Sequence, residues 1–169
     1  HLRQEIAQEI VNLIRKKGFA VLQISLPTEP TLQDVIALDT QSVTPTRRLF
    51  ALLEKCNGLV AIDSFAGHAW AALGKAGAVR LWGYSNPASY GYAGDNNLTA
   101  TVKRCKTPHC NRPETHIGDF IGNGEPWACP FDAECMEFDP KVVADAAIRA
   151  VEMAMPKQPA TPSADKKAA

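Results

Sequence analysis

Residues 59–75 read LVAIDSFAGHAWAALGK, and this stretch determines the fold that we expect. It opens with a short apolar run, which is typical of a central parallel strand covered on both faces. Asp63 and Ser64 follow, and the pattern then predicts a helix that ends at Gly74 with Ser64 as its N-cap. Helix N-termini and the carboxyl ends of parallel strands both favour phosphate ligands. The sequence gives equal weight to the alternative that Asp63 and Ser64 only cap the helix.

Composition and charge are ordinary for a globular protein. The chain has 169 residues, of which 46% are hydrophobic and 21% charged, and its 18 basic residues balance its 18 acidic ones. Balanced charge argues against a nucleic-acid-binding surface. No apolar run is long enough to span a bilayer. Residues 1–17 resemble the middle of a fold, so we expect this chain to be part of a longer protein.

Helix and strand patterns alternate on both sides of the opening stretch. Helical spacing covers residues 2–17 and stops at Gly18, and a further helix begins at Thr44-Pro45. The pattern over 31–38 predicts a short helix. Strands are predicted over residues 19–26, 78–82 and 98–103. The last predicted helix begins at Pro140 and has an inner face made of Val142, Val143, Ala146, Ala147 and Val151.

This alternation predicts an α/β domain with a Rossmann-like parallel sheet and helices on both faces. The domain is expected to span residues 1–155, with a Cys-rich loop inserted at 105–135. Residues 156–169 are rich in Pro, Ala and Lys, a composition that predicts a disordered tail.

Four cysteines lie in the inserted loop: Cys105, Cys110, Cys129 and Cys135. Four thiolates can complete a tetrahedral shell around zinc or iron, and a metal would order a loop that lacks an apolar core. We therefore predict a structural iron or zinc site. Two disulfides, which a reducing cytoplasm disfavours, and free thiols are the alternatives. His109 or His116 could replace one cysteine ligand.

Residues 63–87 (DSFAGHAWAALGKAGAVRLWGYSNP) resemble the C-terminal domain of heptosyltransferase-type glycosyltransferases. That family has an Asp-Ser/Thr-Gly-x-x-His turn, then Ala-Ala-Leu-Gly-Lys, a strand ending in Gly, and Asn/Asp-Pro. The matching positions here are Asp63, Ser64, His68, Ala71, Ala72, Leu73, Gly74, Lys75, Gly83 and Pro87. Phe65 departs from the family pattern, because it stands where most members have glycine.

The resemblance implies the C-terminal half of a GT-B fold, which binds a nucleoside-diphosphate sugar such as ADP-heptose. The residues implied in donor binding are Glu29, Asp63, Ser64, Gly67 and His68. The expected reaction is an inverting transfer, with no metal needed for catalysis, to a hydroxyl of lipopolysaccharide core or of a protein Ser or Thr. The general base would belong to the missing N-terminal domain. The resemblance also implies a bacterial, cytoplasmic enzyme at the inner membrane face, and it allows a homo-oligomer.

Several alternatives stay open at this stage. Relatives that modify bacterial autotransporters carry a cysteine-bound iron, which is similar to the predicted metal loop. A non-catalytic module of the same fold, in which Phe65 closes the pocket and the metal loop serves assembly, is the competing interpretation. His68 could be an ordinary core residue and Glu29 a solvated loop residue. Tyr84, Tyr90 and Tyr92 could line the cleft or stabilise a loop.

Overall fold

The computed structural model describes residues 2–25, 29–38, 46–105, 109 and 133–154. In these ranges helices and strands alternate along the chain. The helices are α1 (Gln4–Lys16), α2 (Thr46–Lys55), α3 (Phe65–Ala72), α4 (Pro87–Tyr90) and α5 (Pro140–Ala154). The strands are β1 (Leu22–Gln23), β2 (Ile36–Ala37), β3 (Val60–Ile62), β4 (Val79–Trp82) and β5 (Asn96–Thr99), and a 3-10 turn spans Glu134–Met136.

The strands form two short parallel sheets. β4 is the central strand of a three-stranded sheet, in which Val79 lies opposite Val60 of β3 and Asn96 of β5. β1 pairs with β2, with Leu22 opposite Ile36. A mixed α/β fold with parallel sheets flanked by helices is compatible with a Rossmann-like architecture, so the predicted fold class is confirmed at that level.

Successive side chains of β4 point to opposite faces of the sheet, as the pleat of a strand requires. Val79 and Leu81 pack with Ile10 of α1 and Val143 of α5 in one buried cluster. A second cluster combines α2 and α3 with the residue before β4; its members are Leu53, Ala69, Trp70 and Ala78. Helices therefore cover both faces of the sheet. β4 lies at its centre. The apolar run at 59–62 was predicted to form a central, buried strand, and that prediction was wrong: in the described sheet β3 is a half-buried edge strand.

Residues 31–38 contain a strand where the sequence predicted a helix, so that prediction was wrong. The Gln23 side chain binds this segment at two points: its Nε2 donates to the Pro30 carbonyl at 3.0 Å, and its Oε1 accepts from the Leu32 amide at 2.8 Å. The Ile36 amide then donates to the Val21 carbonyl at 2.8 Å. These long-range contacts outweigh the local helix propensity of the segment.

Smaller differences concern element boundaries. In the described residues, the first strand covers only Leu22–Gln23, and β5 begins at Asn96 because the Asn96 amide donates to the Ala78 carbonyl. Val142 is 51% exposed, so its predicted place on the inner face of α5 was wrong. It lies beyond the edge of the buried stripe of Val143, Ala146, Ala147 and Ala150, about 40° around the helix from Ala146 and about 100° from Val143.

Several predictions fall outside the described ranges. These are the helix start at Thr44-Pro45, the tail at 156–169, and Cys110, His116 and Cys129 of the inserted loop. Of the helices that the structure describes, none has both the length and the apolar character that a bilayer crossing needs.

Candidate functional site

The turn between β3 and α3 carries two of the five predicted donor residues, Asp63 and Ser64, and Gly67 and His68 follow in the first turn of α3. β3 ends at Ile62, and Ser64 occupies the N-cap position of α3 with an extended backbone (φ −158°, ψ 168°). Its carbonyl accepts a 3.1 Å hydrogen bond from the Gly67 amide. The Ser64 side chain, however, makes no capping hydrogen bond, so the prediction that its hydroxyl caps the helix was wrong. The start of α3 is thus formed by backbone geometry, without use of that hydroxyl.

His68 lies one turn into α3 and points out of the protein. Its side chain is 45% exposed, and Nε2 lies 3.6 Å from Oδ1 of Asp63, whose side chain is 23% exposed. On the other edge of the ring, Nδ1 lies 2.9 Å from the hydroxyl of Tyr92. The alternative of a buried core histidine is therefore wrong. Asp63, His68 and Tyr92 form a continuous polar edge beside the start of α3.

Beneath α3 the structure has a buried ion pair that sequence reasoning missed. Nε of Arg80 donates to Oδ2 of Asp95 at 2.6 Å, and the two side chains are 0% and 2% exposed. Nη2 of Arg80 donates to the carbonyl of Gly67, and Oδ1 of Asp95 accepts from the Ala78 amide at 3.2 Å. An arginine in the middle of a buried strand was the available signal, since a buried charge requires a partner.

Gly67 is buried against the Arg80 guanidinium. A Cβ at this position would collide with Nη1 of Arg80, so the helix can approach β4 this closely only with glycine there. Gly67 therefore has a packing role in the structure, and its predicted contact with the donor stays a prediction. Among the described residues, Nη1 of Arg80 is a buried side-chain nitrogen with no hydrogen-bond partner.

The remaining residues of the predicted donor site differ in their placement. Glu29 is half-buried and lies between β1 and β2, in the segment of the two-stranded sheet rather than at the end of β3. Its grouping with Asp63 stays a prediction. Phe65 is 50% exposed, and its ring packs edge-on against Phe50 of α2, with 5.9 Å between centroids and 82° between planes. Phe65, the first residue of α3, therefore packs its ring against α2.

A second polar cluster surrounds Gly83, the residue that follows β4. Nδ1 of His109 lies 2.9 Å from the Gly83 carbonyl and 2.8 Å from the Ser85 carbonyl. Because both partners are acceptors, Nδ1 must carry the proton, and His109 keeps the lone pair of Nε2 in its neutral form. A Cβ on Gly83 would lie 3.5 Å from Sγ of Cys135 and would collide with Met136. His109 and Cys135 therefore both adjoin Gly83.

Glu134 connects the two described cysteines of the inserted loop. Its carboxylate accepts hydrogen bonds from three consecutive amides, those of Lys103 (2.8 Å), Arg104 (3.0 Å) and Cys105 (3.0 Å). These backbone donors, with Lys103 the largest contributor and Cys105 next, hold the pKa of Glu134 below its ordinary value. The contact brings the chain at Cys105 to the 3-10 turn that carries Cys135.

The described part of the chain does not by itself contain a complete metal site. No group of three His, Cys, Asp or Glu within it has the arrangement to hold an ion. Cys110 and Cys129 lie outside the described residues, so the four-cysteine site stays a prediction. Cys56 belongs to a different environment, since it packs against the α2–α3 cluster and burial raises the pKa of its thiol.

A surface groove of about 240 Å³ lies elsewhere, between β5 and the start of α5. It is lined by Leu98, Thr99, Ala100, Thr101, Glu137, Phe138, Asp139, Val142 and Val143. None of the predicted donor or metal residues belongs to this wall. We therefore place the candidate site at the β3–α3 turn, where the polar groups converge.

Comparisons with protein-family models, curated proteins and solved structures give no match to this chain. The function is accordingly argued from the residues and their geometry.

Proposed function

We propose that this chain is the donor-binding domain of an inverting glycosyltransferase that uses a nucleoside-diphosphate sugar. The observation that carries the proposal is the convergence of Asp63, Ser64 and His68 at the start of α3, directly after a strand of a parallel sheet. Asp63 and His68 are within 3.6 Å of each other, and the Ser64 side chain makes no bond to the helix cap. Ligands of open α/β folds bind outside the carboxyl ends of the strands.

The charges at this turn favour different parts of such a donor. The N-terminus of α3 carries partial positive charge and is the favourable place for the diphosphate. The carboxylate of Asp63 would repel a phosphate but accepts hydrogen bonds from sugar hydroxyls. His68, between Asp63 and the solvent, can donate to either. We infer that the diphosphate lies over Ser64 and the first turn of α3, with the sugar on the Asp63 side.

The chemistry expected of this arrangement is stabilisation of the leaving group. In the transfer, an acceptor hydroxyl attacks the anomeric carbon while the bond to the diphosphate breaks, and negative charge grows on the departing phosphate. Helix dipoles and fixed donors stabilise charge that develops at a defined place. The proposal includes a second, N-terminal domain that completes a GT-B cleft and supplies the base. The acceptor would be a hydroxyl of lipopolysaccharide core or of a protein, and the donor an ADP-heptose-like sugar.

We also infer a structural iron or zinc in the inserted loop. Cys105 is brought to the Cys135 turn by Glu134, and His109 adjoins Gly83 beside Cys135. Histidine ligands of metals usually donate their other ring N–H to a carbonyl or carboxylate, as Nδ1 of His109 does here. Two thiols and an imidazole nitrogen are donors that suit zinc or iron. From the sequence, Cys110 and Cys129 complete a tetrahedral set of four thiolates, in which the imidazole of His109 is the alternative to one cysteine.

Titration of the full chain with ADP tests the donor proposal. We expect saturable binding by calorimetry, and a loss of affinity of at least about tenfold in His68→Ala, which removes a donor to the diphosphate. Asp63→Ala should instead lower the affinity for an ADP-sugar, because Asp63 faces the sugar, and should not weaken the binding of ADP itself. Asp145→Ala is the matched control, because Asp145 lies on the outer part of α5 and pairs only with exposed Lys141 in the contacts described. Equal affinity in all four proteins would contradict the proposal.

Phe65→Gly separates this function from the non-catalytic alternative. If Phe65 closes the pocket, the wild-type chain should not bind ADP and the glycine variant should gain binding. If the pocket is open, wild type should already bind, because the Phe65 ring packs towards Phe50 on α2. Binding by neither protein would argue against a nucleotide site at this turn.

Elemental analysis of the purified chain, with and without chelator, tests the metal proposal. One iron or zinc per chain and four thiols protected from labelling are the expected results. Five titratable thiols and no bound metal would contradict the proposed metal site. In that case the non-catalytic alternative would lose its metal loop as well.

A further inference from the structure

We propose that Tyr92 is a positioning residue for His68, which it holds in the orientation needed at the donor site. This inference rests on the proposed function and adds a residue that the family resemblance does not supply. The contact that carries it is the 2.9 Å hydrogen bond between the Tyr92 hydroxyl and Nδ1 of His68. The two rings also meet edge to face, with 5.7 Å between centroids and 71° between planes.

The neighbours of His68 determine which atom donates in this bond. Nε2 faces the Asp63 carboxylate, which can only accept, so the proton of the neutral ring is favoured on Nε2. Nδ1 then has a lone pair, and the Tyr92 hydroxyl donates to it. Asp63 thus favours the tautomer, and Tyr92 fixes the ring orientation. It leaves an N–H donor beside Asp63, on the side where the donor sugar and diphosphate are expected.

Tyr92 is itself held from below by the buried ion pair. The guanidinium carbon of Arg80 lies 4.9 Å from the centre of the Tyr92 ring, close enough for cation–π attraction. Arg80 cannot move freely, because Asp95 binds its Nε and the Gly67 carbonyl accepts from its Nη2. The buried pair therefore supports an exposed tyrosine, and the tyrosine in turn orients His68. Tyr92 is 41% exposed, so its hydroxyl lies at the surface where a ligand could reach the histidine.

Tyr92→Phe is the informative variant, because it keeps the ring over Arg80 and removes only the hydroxyl. Tyr90→Phe is the matched control, a change of the same chemistry at a tyrosine of similar exposure, 46%. The first readout is the ¹⁵N signal of the His68 ring nitrogens, recorded at the high-pH plateau of the imidazole signals. His68→Gln assigns that signal among the four histidines of the chain.

We expect the Nδ1 signal of His68 to move in Tyr92→Phe and to stay at its wild-type position in Tyr90→Phe. A variant that only destabilised the fold would not change this signal in the folded protein. The second readout is ADP affinity of the full chain. We expect it to fall about 3- to 10-fold in Tyr92→Phe, the range of one neutral hydrogen bond, and to be unchanged in Tyr90→Phe.

An unchanged Nδ1 signal in Tyr92→Phe would overturn the inference, because the hydrogen bond would then not exist in solution. A shifted signal with unchanged ADP affinity would also overturn it, since the bond would not position His68 for the ligand. Absence of ADP binding in the wild type would instead refute the proposed function, and the donor role of Tyr92 with it. A failure of this inference is distinguishable from a failure of the proposed function, because the former is seen only in Tyr92→Phe and the latter already in the wild type.

Discussion

The turns that follow β3 and β4 are neighbours in the sheet but are held in different ways. The turn after β3 leads into α3, which packs on the buried pair of Arg80 and Asp95, with side chains 0% and 2% exposed. The turn after β4 begins at Gly83, whose carbonyl accepts a hydrogen bond from His109. Beside this turn, the Glu134 carboxylate accepts hydrogen bonds from backbone amides of the segment after β5. Both turns lie at the carboxyl ends of parallel strands, where ligands of α/β folds bind.

This difference indicates that the two turns should respond differently to change. A buried ion pair is part of the core, so removing one partner leaves an unpaired charge in the centre of the fold. Exposed hydrogen bonds between a carboxylate and amides act locally, because water can replace either partner. The β3 turn is thus tied to global stability, whereas the β4 turn can change without unfolding the sheet. The predictions below test that distinction.

The largest effect is expected for Asp95→Asn. This change leaves Arg80 charged and buried without its carboxylate, and it should lower the free energy of unfolding by about 3–5 kcal/mol. Urea unfolding followed by circular dichroism measures the change. Asp145→Asn serves as control, since its ion pair with Lys141 is exposed, and its unfolding midpoint should stay close to wild type. Equal effects of the two substitutions would contradict the central place given to Arg80.

A smaller effect is expected for Gly67→Ala, with Gly83→Ala as its counterpart at the other turn. Both added methyl groups would collide, one with Nη1 of Arg80 and the other with Sδ of Met136. The guanidinium is fixed by Asp95, whereas the Met136 thioether can rotate away. We expect overpacking to exceed the gain in helix propensity for Gly67→Ala, with a net loss of about 1–2 kcal/mol.

For Gly83→Ala we expect a loss below about 1 kcal/mol, because a flexible side chain yields. Thermal unfolding of both variants gives the comparison. A larger loss in Gly83→Ala than in Gly67→Ala would reverse the order of rigidity assigned to the two turns.

The apolar pattern was enough to predict the strand and helix around Asp63, because an apolar run and a glycine stop are local signals. It did not predict that β3 is an edge strand of the described sheet, because strand order depends on distant parts of the chain. It was also enough to predict the helices α1 and α5. The Arg80–Asp95 pair was missed although Arg80 stands in a strand, since its partner is fifteen positions away and contacts of this kind depend on the sheet register. Residues 31–38 were misassigned for a related reason: the Gln23 side chain that holds them extended belongs to another strand.

At the candidate site, the solvent exposure of side chains was the property that the sequence predicted least well. The pattern put His68 on a helix covered by the sheet, and a core role was reasonable for it. Its exposure follows from its position on α3: the neighbouring Gly67 is buried against the Arg80 guanidinium, and His68 lies on the exposed side. The predicted convergence of Asp63, Ser64 and His68 could be inferred from spacing, but the bond from Tyr92 needed the loop that precedes β5 to be in place.

The smallest effect is a local one, and it depends on pH. The pKa of Glu134 in the folded protein is below its ordinary value of 4.5, because the carboxylate accepts from the amides of Lys103, Cys105 and Arg104. A lowered pKa means that the stabilisation is fully present above pH 4.5 and is lost as the pH falls through the folded value. In ¹⁵N–¹H spectra, these three amide signals should therefore titrate together with a midpoint below 4.5. In Glu134→Gln they should no longer shift over this range.

The Asn96 amide, bonded to Ala78 inside the sheet, should stay constant in both proteins until global unfolding. If Asn96 shifts with the same midpoint, the turn after β4 is coupled to the core as closely as the turn after β3, and the distinction between them fails.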